Sequence, residues 1–562
     1  MRYTVLLFIQ SLLVALIFSS SLTTHDLKDD SVRNQIMREY ENMQDNYNAD
    51  NLPLSEKPGL VQRGLKFLGA EVPNYCDIRD NAQSADYYYM LPVLKAKIKE
   101  ENSAIDFTSS CFKNNKITIE KLTKEDTIIN IESSDATSFF CKDSYIISIS
   151  NFHSIHTNLM HGSHKIHLKN LTDEDLLDLK VNGLRVFAFC QGFLSSVHSL
   201  LQTLKLFIGG MGDNPDSKIP ITRPEVPEYM EKANVDFLER FVGVKLQKRR
   251  EQYGNMVLDI DEKEIRTGDF LFIFRLDGLD PIIMLGTGSH AGHSAVAAWI
   301  DGELNVLESQ EIWYWPKHGI QRNKWSQWKE WAHNASFHVA VLPLKDEYRK
   351  KFNEKKAIKW FEEKVEGLNY GYHNFLFSWI DTPDKNMPSL LQTETVIMVM
   401  SLLEKISRST IDLIIGEALN MRVKTKGLKI HEVAYVAAKN NQTLEDLLAM
   451  PEIEGWEYSD GTNYVCSCFV IGFYKHGDMF EGMEINSTEF TPKDIYQLDI
   501  FDKDYKNTRP QLCKDADPES DYCQIMGKYT VSTPGYSTIK PYTRMNERCP
   551  SQAPDFYRPD GC

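Results

Sequence analysis

Three side chains far apart in the chain could together activate a thiol. Cys466 opens the apolar run Val465-Cys466-Ser467-Cys468-Phe469-Val470, which reads as the start of a helix. Thr462 or Asn463 can serve as its N-cap, Val465, Phe469, Val470 and Phe473 give an apolar face, and Gly477 supplies the stop. A helix N-terminus offers unsatisfied backbone N–H groups and the positive end of the dipole, which favour a thiolate. The same N–H groups can donate to the oxyanion formed on an attacked carbonyl. Cys468, two positions further in, reads as a buried structural cysteine.

The matching base is His293. It opens the run Ser294 to Ile300, Asp301-Gly302 gives a two-residue hairpin turn, and Leu304 to Glu308 returns. Pairing Ile300 with Glu303 sets Trp299 opposite Leu304, Ala297 opposite Val306, Ala295 opposite Glu308 and His293 opposite Gln310. Period-two alternation then puts His293, Glu308 and Gln310 on one face at the open end of the hairpin. An imidazole so placed takes the thiol proton while a carboxylate or amide holds its other nitrogen. Glu308 stabilises an imidazolium better than neutral Gln310 and is the expected third member, though diagonal to His293. His290, in the approach loop, is the competing or accessory base; its plainer reading is a surface histidine.

These residues need a scaffold. Gly268-Asp269 followed by Phe270 to Phe274 reads as a turn entering a buried strand, with Asp269 capping the turn. Trp313, Trp315, Trp325, Trp328 and Trp331 crowd together after the hairpin and could wall a cleft or simply pack the core. A glycine-aromatic loop follows, Gly367 to Phe375. Trp313, Trp315, Tyr370 and Tyr372 are the candidate cleft residues. A tract of His153, His156, His161, His164 and His167 lacks companion cysteines at zinc spacing, so no metal and no cofactor are expected.

The 562-residue chain is long enough for two or more domains. All nine tryptophans lie between Trp299 and Trp456, a shift in composition that marks different units. Residues 1–22 read as a signal peptide: Arg2, an apolar core of about 14 residues where a membrane span needs ~20, then small residues. Residues 23–215 are expected to form an N-terminal domain, β-rich with a terminal helix near 193–211, its short strands typified by Ile117-Thr118-Ile119 and Tyr145 to Ile149. A proline-rich stretch at 213–228 marks the boundary. Residues 216–500 would hold the catalytic domain with a helical insertion near 385–450, and 501–562 a cysteine-containing tail. A net charge of −16 and a pI near 5.5 argue against nucleic acid as a partner.

Secretion would let the cysteines pair. Cys76, Cys111, Cys141 and Cys190 form one even group and Cys513, Cys523, Cys549 and Cys562 another, with connectivity open within each. Cys466 and Cys468 are left over and poorly placed to bridge each other. Sequons at Asn170, Asn334, Asn441 and Asn486 fit glycosylation in a secreted or lysosomal lumen.

The run Thr267 to Phe272, Ser289-His290-Ala291-Gly292-His293-Ser294-Ala295-Val296, the Asp-Gly hairpin with Val306-Leu307-Glu308, and Tyr464 to Val470 resemble the NlpC-type papain-like superfamily in its circularly permuted branch. There the histidine strand precedes the cysteine helix. The resemblance spans about 260–480. It implies an α+β fold with a permuted papain-like catalytic domain, Cys466 as nucleophile, His293 as base and Glu308 as polar third member. Unpermuted members often carry Asp before the nucleophile and Gly two after it, where this chain has Val465 and Cys468.

The expected activity is therefore thiol hydrolysis of an amide or peptide bond by a Cys-His-Glu site. An acyltransferase or lipid deacylase on the same site, with a lipid partner, is the second reading. A catalytically inactive secreted binding glycoprotein is the third. No membrane span is expected after signal cleavage.

Overall fold

The computed structural model describes residues 87–545 except 89, 110, 137–142, 149–153, 160, 190–192, 209–222, 312–318 and 378–392. The signal-like segment, the charged lead, Cys76, Cys141, Cys190, Cys549, Cys562, Trp313 and Trp315 lie outside the described residues. The fold class is α+β. Contacts divide the chain into two compact units: residues 1–203 with 394–410 and 429–444, and residues 204–393 with 411–428 and 445–562.

The first unit is built on short alternating strands: β1 (Pro92–Ile98), β2 (Ala104–Phe107), β3 (Phe112–Lys121), β4 (Asp126–Ala136), β5 (Asp143–Ser148), β6 (Ser154–Leu159), β7 (Gly162–Lys169) and β8 (Leu184–Phe189). They form two antiparallel sheets, ordered β1-β8-β5-β6 and β2-β3-β4-β7. The period-two pattern explains the core: Ile117, Ile119, Ile129 and Ile131 from one sheet meet Ile98, Tyr145, Ile147 and Val186 from the other. Helix α1 (Asp173–Asn182) starts on a Thr172–Asp175 capping box. Cys111 is disulfide-bonded.

Segments 394–410 and 429–444 belong to this unit, whereas the sequence reading places them in an insertion of the catalytic domain with the boundary at 215. Specific polar ties hold them there. Thr395 Oγ1 donates to Pro92 O, Lys97 pairs with Glu394 at 3.2 Å, and Leu444 N donates to Asn182 Oδ1. Such long-range bonds leave no periodic trace in a sequence.

The second unit centres on a six-stranded antiparallel sheet ordered β12-β11-β10-β9-β13-β15. Its strands are β9 (Phe270–Phe274), β10 (His293–Ile300), β11 (Glu303–Gln310), β12 (Gly319–Lys324), β13 (His338–Leu342) and β15 (Cys523–Met526); β14 (Glu484–Ile485) and β16 (Arg544–Met545) make a small parallel pair. Every residue of β9 is buried, which is why it reads as a continuous apolar run. Leu271, Ile273, Ala295, Ala297, Val306, Val339 and Val341 face one core with Trp325, Trp328 and Trp331 of helix α2 (Trp325–Asn334). Those three tryptophans therefore pack the core. The cysteine-containing tail does more than tether: Cys523 to Met526 supplies the edge strand, and Cys513 is bridged to Cys523.

Helix α3 (Cys466–His476) packs against β10 and β11 with nine of its eleven residues buried. Ser309 Oγ on β11 donates to Tyr464 O at 2.6 Å, and Tyr474 Oη donates to Gly268 O. Helix α4 (Pro492–Gln497) follows. Asp269 caps its turn as expected: it accepts from Arg266 N and Leu344 N and is ion-paired with Arg349. Among the described residues no helix is long and apolar enough to cross a membrane.

Candidate active site

The hairpin fixes His293. β10 and β11 pair from Ile300↔Glu303 to Ala295↔Glu308, and the turn residues Asp301 and Gly302 both have left-handed φ, 52° and 81°. Two positive-φ residues match the right-handed twist of the strands, so an Asp-Gly pair selects this register. His293 at the first position of β10 and Glu308 on β11 then come together, His293 Nε2 lying 3.2 Å from Glu308 Oε2. Gln310 also reaches the pair: its Nε2 donates to Glu308 Oε2 at 2.7 Å and sits 3.1 Å from His293 Nε2. Glu308 takes the role of ion-pair partner, and Gln310 serves that carboxylate rather than replacing it.

The thiol arrives from the other side. Cys466 is the first residue of α3, with Val465 at the N-cap in extended conformation and no side-chain cap, rather than Thr462 or Asn463. The reason lies in the glycine-aromatic loop. Tyr370 bridges Tyr464 in parallel, and Gly371 N donates to Tyr464 O, which keeps the backbone extended up to Val465. Only glycine fits at 371, since a Cβ there would lie 2.6 Å from Val465 N. The thiol of Cys466, 6% exposed, lies near enough to the His293 imidazole to bear on its charge.

Burial opposes a charge on His293, but the hydrogen bonds to Cys466 and Glu308 and their negative charges outweigh it and push its pKa up to about 10. The site thus favours an imidazolium at neutral pH. Tyr370 lies within the field of the same thiol; burial first, then the charges of Cys466 and Glu311, push its hydroxyl well above the ordinary tyrosine range. Tyr372 stacks edge-on to Tyr370 with centroids 5.0 Å apart and is half-buried.

His290 is not part of this group. Its backbone N–H donates to Tyr496 Oη on α4, and burial, together with the charge of Lys493, pushes its imidazole down to about 4. It is a neutral, mostly buried ring. Cys468 is fully buried: Sγ donates to Thr488 O and accepts from Asn374 Nδ2, and burial raises its thiol well above the usual value. Both cysteines are unbridged. Among the described residues no His, Cys, Asp or Glu cluster could hold a metal. His161, His164 and His167 are described, and His167 pairs with Asp126 instead.

Asn170, Asn334 and Asn441 are exposed. Asn486 differs: its amide donates to Glu452 O and its carbonyl caps Thr488, so the side chain is engaged internally. Two site residues escaped the sequence reading. Asn323 Nδ2 lies 3.3 Å and Trp328 Nε1 3.0 Å from Glu308 Oε1. Trp328 belonged to a visible cluster, but nothing in spacing ties one indole to one carboxylate.

No protein-family model, curated protein or solved structure matches the chain. The functional reading rests on the site alone.

Proposed function

We propose that the protein is a thiol hydrolase that cleaves an amide or peptide bond through Cys466, His293 and Glu308, on a permuted papain-like domain of the NlpC type. The observation that carries the reading is a helix-starting cysteine near an imidazole that meets a wholly buried carboxylate at 3.2 Å. A carboxylate at zero exposure costs stability unless it is put to use or fully paired, and here it holds an imidazolium.

In this reading the Cys466 thiolate attacks the carbonyl carbon, and the oxygen becomes an oxyanion facing the backbone N–H groups at the start of α3. The C–N bond breaks as His293 gives its proton to the leaving amine, leaving a thioester on Cys466. Water, deprotonated by His293, attacks the thioester, releases the carboxylic acid and restores the thiolate–imidazolium pair. A disulfide between Cys513 and Cys523 and three exposed sequons support a secretory or lysosomal lumen as the place of action.

Iodoacetamide labelling of the folded full chain near pH 6, read by peptide mass, tests the thiolate. Cys466 is expected to label fast and to lose that rate in His293→Ala; a Cys466 no faster than an ordinary thiol overturns the reading. Trapping the acyl-enzyme then assigns the substrate. A peptidyl or small acyl adduct fits an amidase, and a fatty-acyl adduct would move the site to lipid acyl transfer.

A further inference from the structure

Glu308 is wholly buried, and each of its oxygens meets two N–H groups. His293 and Gln310 face Oε2, while Trp328 and Asn323 face Oε1. Such a shell leaves no place for a proton on Oε1, which would point at two donors. The four neighbours are not equivalent. The amides of Gln310 and Asn323 can turn over and present oxygen instead, and the imidazole can lose its proton. An indole N–H is a donor in every state. Trp328 is thus the one neutral neighbour that always demands an acceptor at Oε1.

We propose that Trp328 is a positioning residue of this site: its indole holds Oε1 of Glu308 as an acceptor and so keeps Oε2 turned to His293. The assignment rests on Cys466 and His293 being the reactive pair. Helix α2 carries its own comparison. Trp325, Trp328 and Trp331 are all buried in the same core, yet the indole N–H groups of Trp325 and Trp331 have no hydrogen-bond partner among the described residues. Packing alone therefore does not call for an indole bond at 328. The charged or titratable groups facing the pair are Cys466 from α3, Glu308 from β11, and Tyr370 and Glu311 around the thiol.

The test is the pH profile of iodoacetamide labelling of Cys466 in the full chain, for the parent, Trp328→Phe and Trp331→Phe. Both variants lose similar core volume, and only the first loses the bond to Glu308. Trp328→Phe is expected to narrow the pH range of fast labelling by about one unit at each limit and to slow labelling at pH 6 about tenfold, with Trp331→Phe unchanged. A parent-like profile for Trp328→Phe, or the same change in both variants, overturns the assignment and leaves the nucleophile reading standing. A parent whose Cys466 labels no faster than an ordinary thiol fails that reading, and the assignment falls with it. Should Trp328→Phe not fold, Asn323→Leu removes the other donor to the same oxygen: a smaller shift in the same direction supports the shell, and an unchanged profile overturns it.

Discussion

Replacing Glu308 by Gln removes one charge while keeping the side chain's shape, and the structure sets the size of the effect. His293 titrates near 10 in the folded protein, about 3.5 pH units above its ordinary 6.5, so its proton is held more tightly by about 5 kcal/mol. That sum is shared between Cys466 and Glu308 after the burial penalty is met. A hydrogen bond to a charged partner is worth about 1.5–3 kcal/mol, so losing Glu308 should bring His293 down by one to two pH units. The sign follows from linkage: a raised pKa gives stability that is fully present below 6.5 and is lost as pH rises through about 10. Glu308→Gln should therefore cost about 1.5–3 kcal/mol more at pH 6 than at pH 10.5. Urea unfolding followed by tryptophan emission measures this directly, because the tryptophans among the described residues all lie in the second unit. An equal loss at both pH values would refute the ion pair, as would a variant whose Cys466 still alkylates at the parental rate at pH 6.

Cys466→Ala should abolish hydrolysis and labelling, whereas Cys468→Ser should retain both, since Cys468 is buried with its thiol raised; peptide mapping after mild alkylation separates the two. His290 and His338 are held down, to about 4 and about 3, by burial, so each contributes stability above 6.5 that is lost as pH falls toward those values. His338→Phe should accordingly shift the acid unfolding midpoint to lower pH, measured by circular dichroism. Gly371→Ala would drive a Cβ against Val465 N, displacing the start of α3 at a cost of about 1–3 kcal/mol and reducing labelling of Cys466 more than denaturation midpoints alone would suggest. Opening the Cys513–Cys523 bridge, which closes a separation of 10 residues, should destabilise the second unit by about 3 kcal/mol, seen as a lower urea midpoint on reduction.

The hairpin was legible because two independent signals agreed: period-two alternation through Ala295, Ala297, Val306 and Glu308, and an Asp-Gly turn that admits one register. The helix at Cys466 was legible from its apolar face and Gly477. Its cap was not, since the extended backbone at Val465 is imposed by Tyr370 and Gly371, almost a hundred residues away in sequence. The same limit hid Asn323 and Trp328: β12 is a polar strand, and no local pattern marks its pairing with β11. The division of the helical insertion between two units was likewise invisible, because it turns on single bonds such as Thr395 to Pro92 and not on composition.

The order in which the reactive pair appears along the chain has a biosynthetic consequence. His293 leaves the ribosome about 170 residues before Cys466, so a nascent or prematurely terminated chain carries an imidazole with nothing to activate. Because α3 docks on a sheet whose edge strand comes from residues 523–526, the setting of the proposed pair is complete only after that strand has been made.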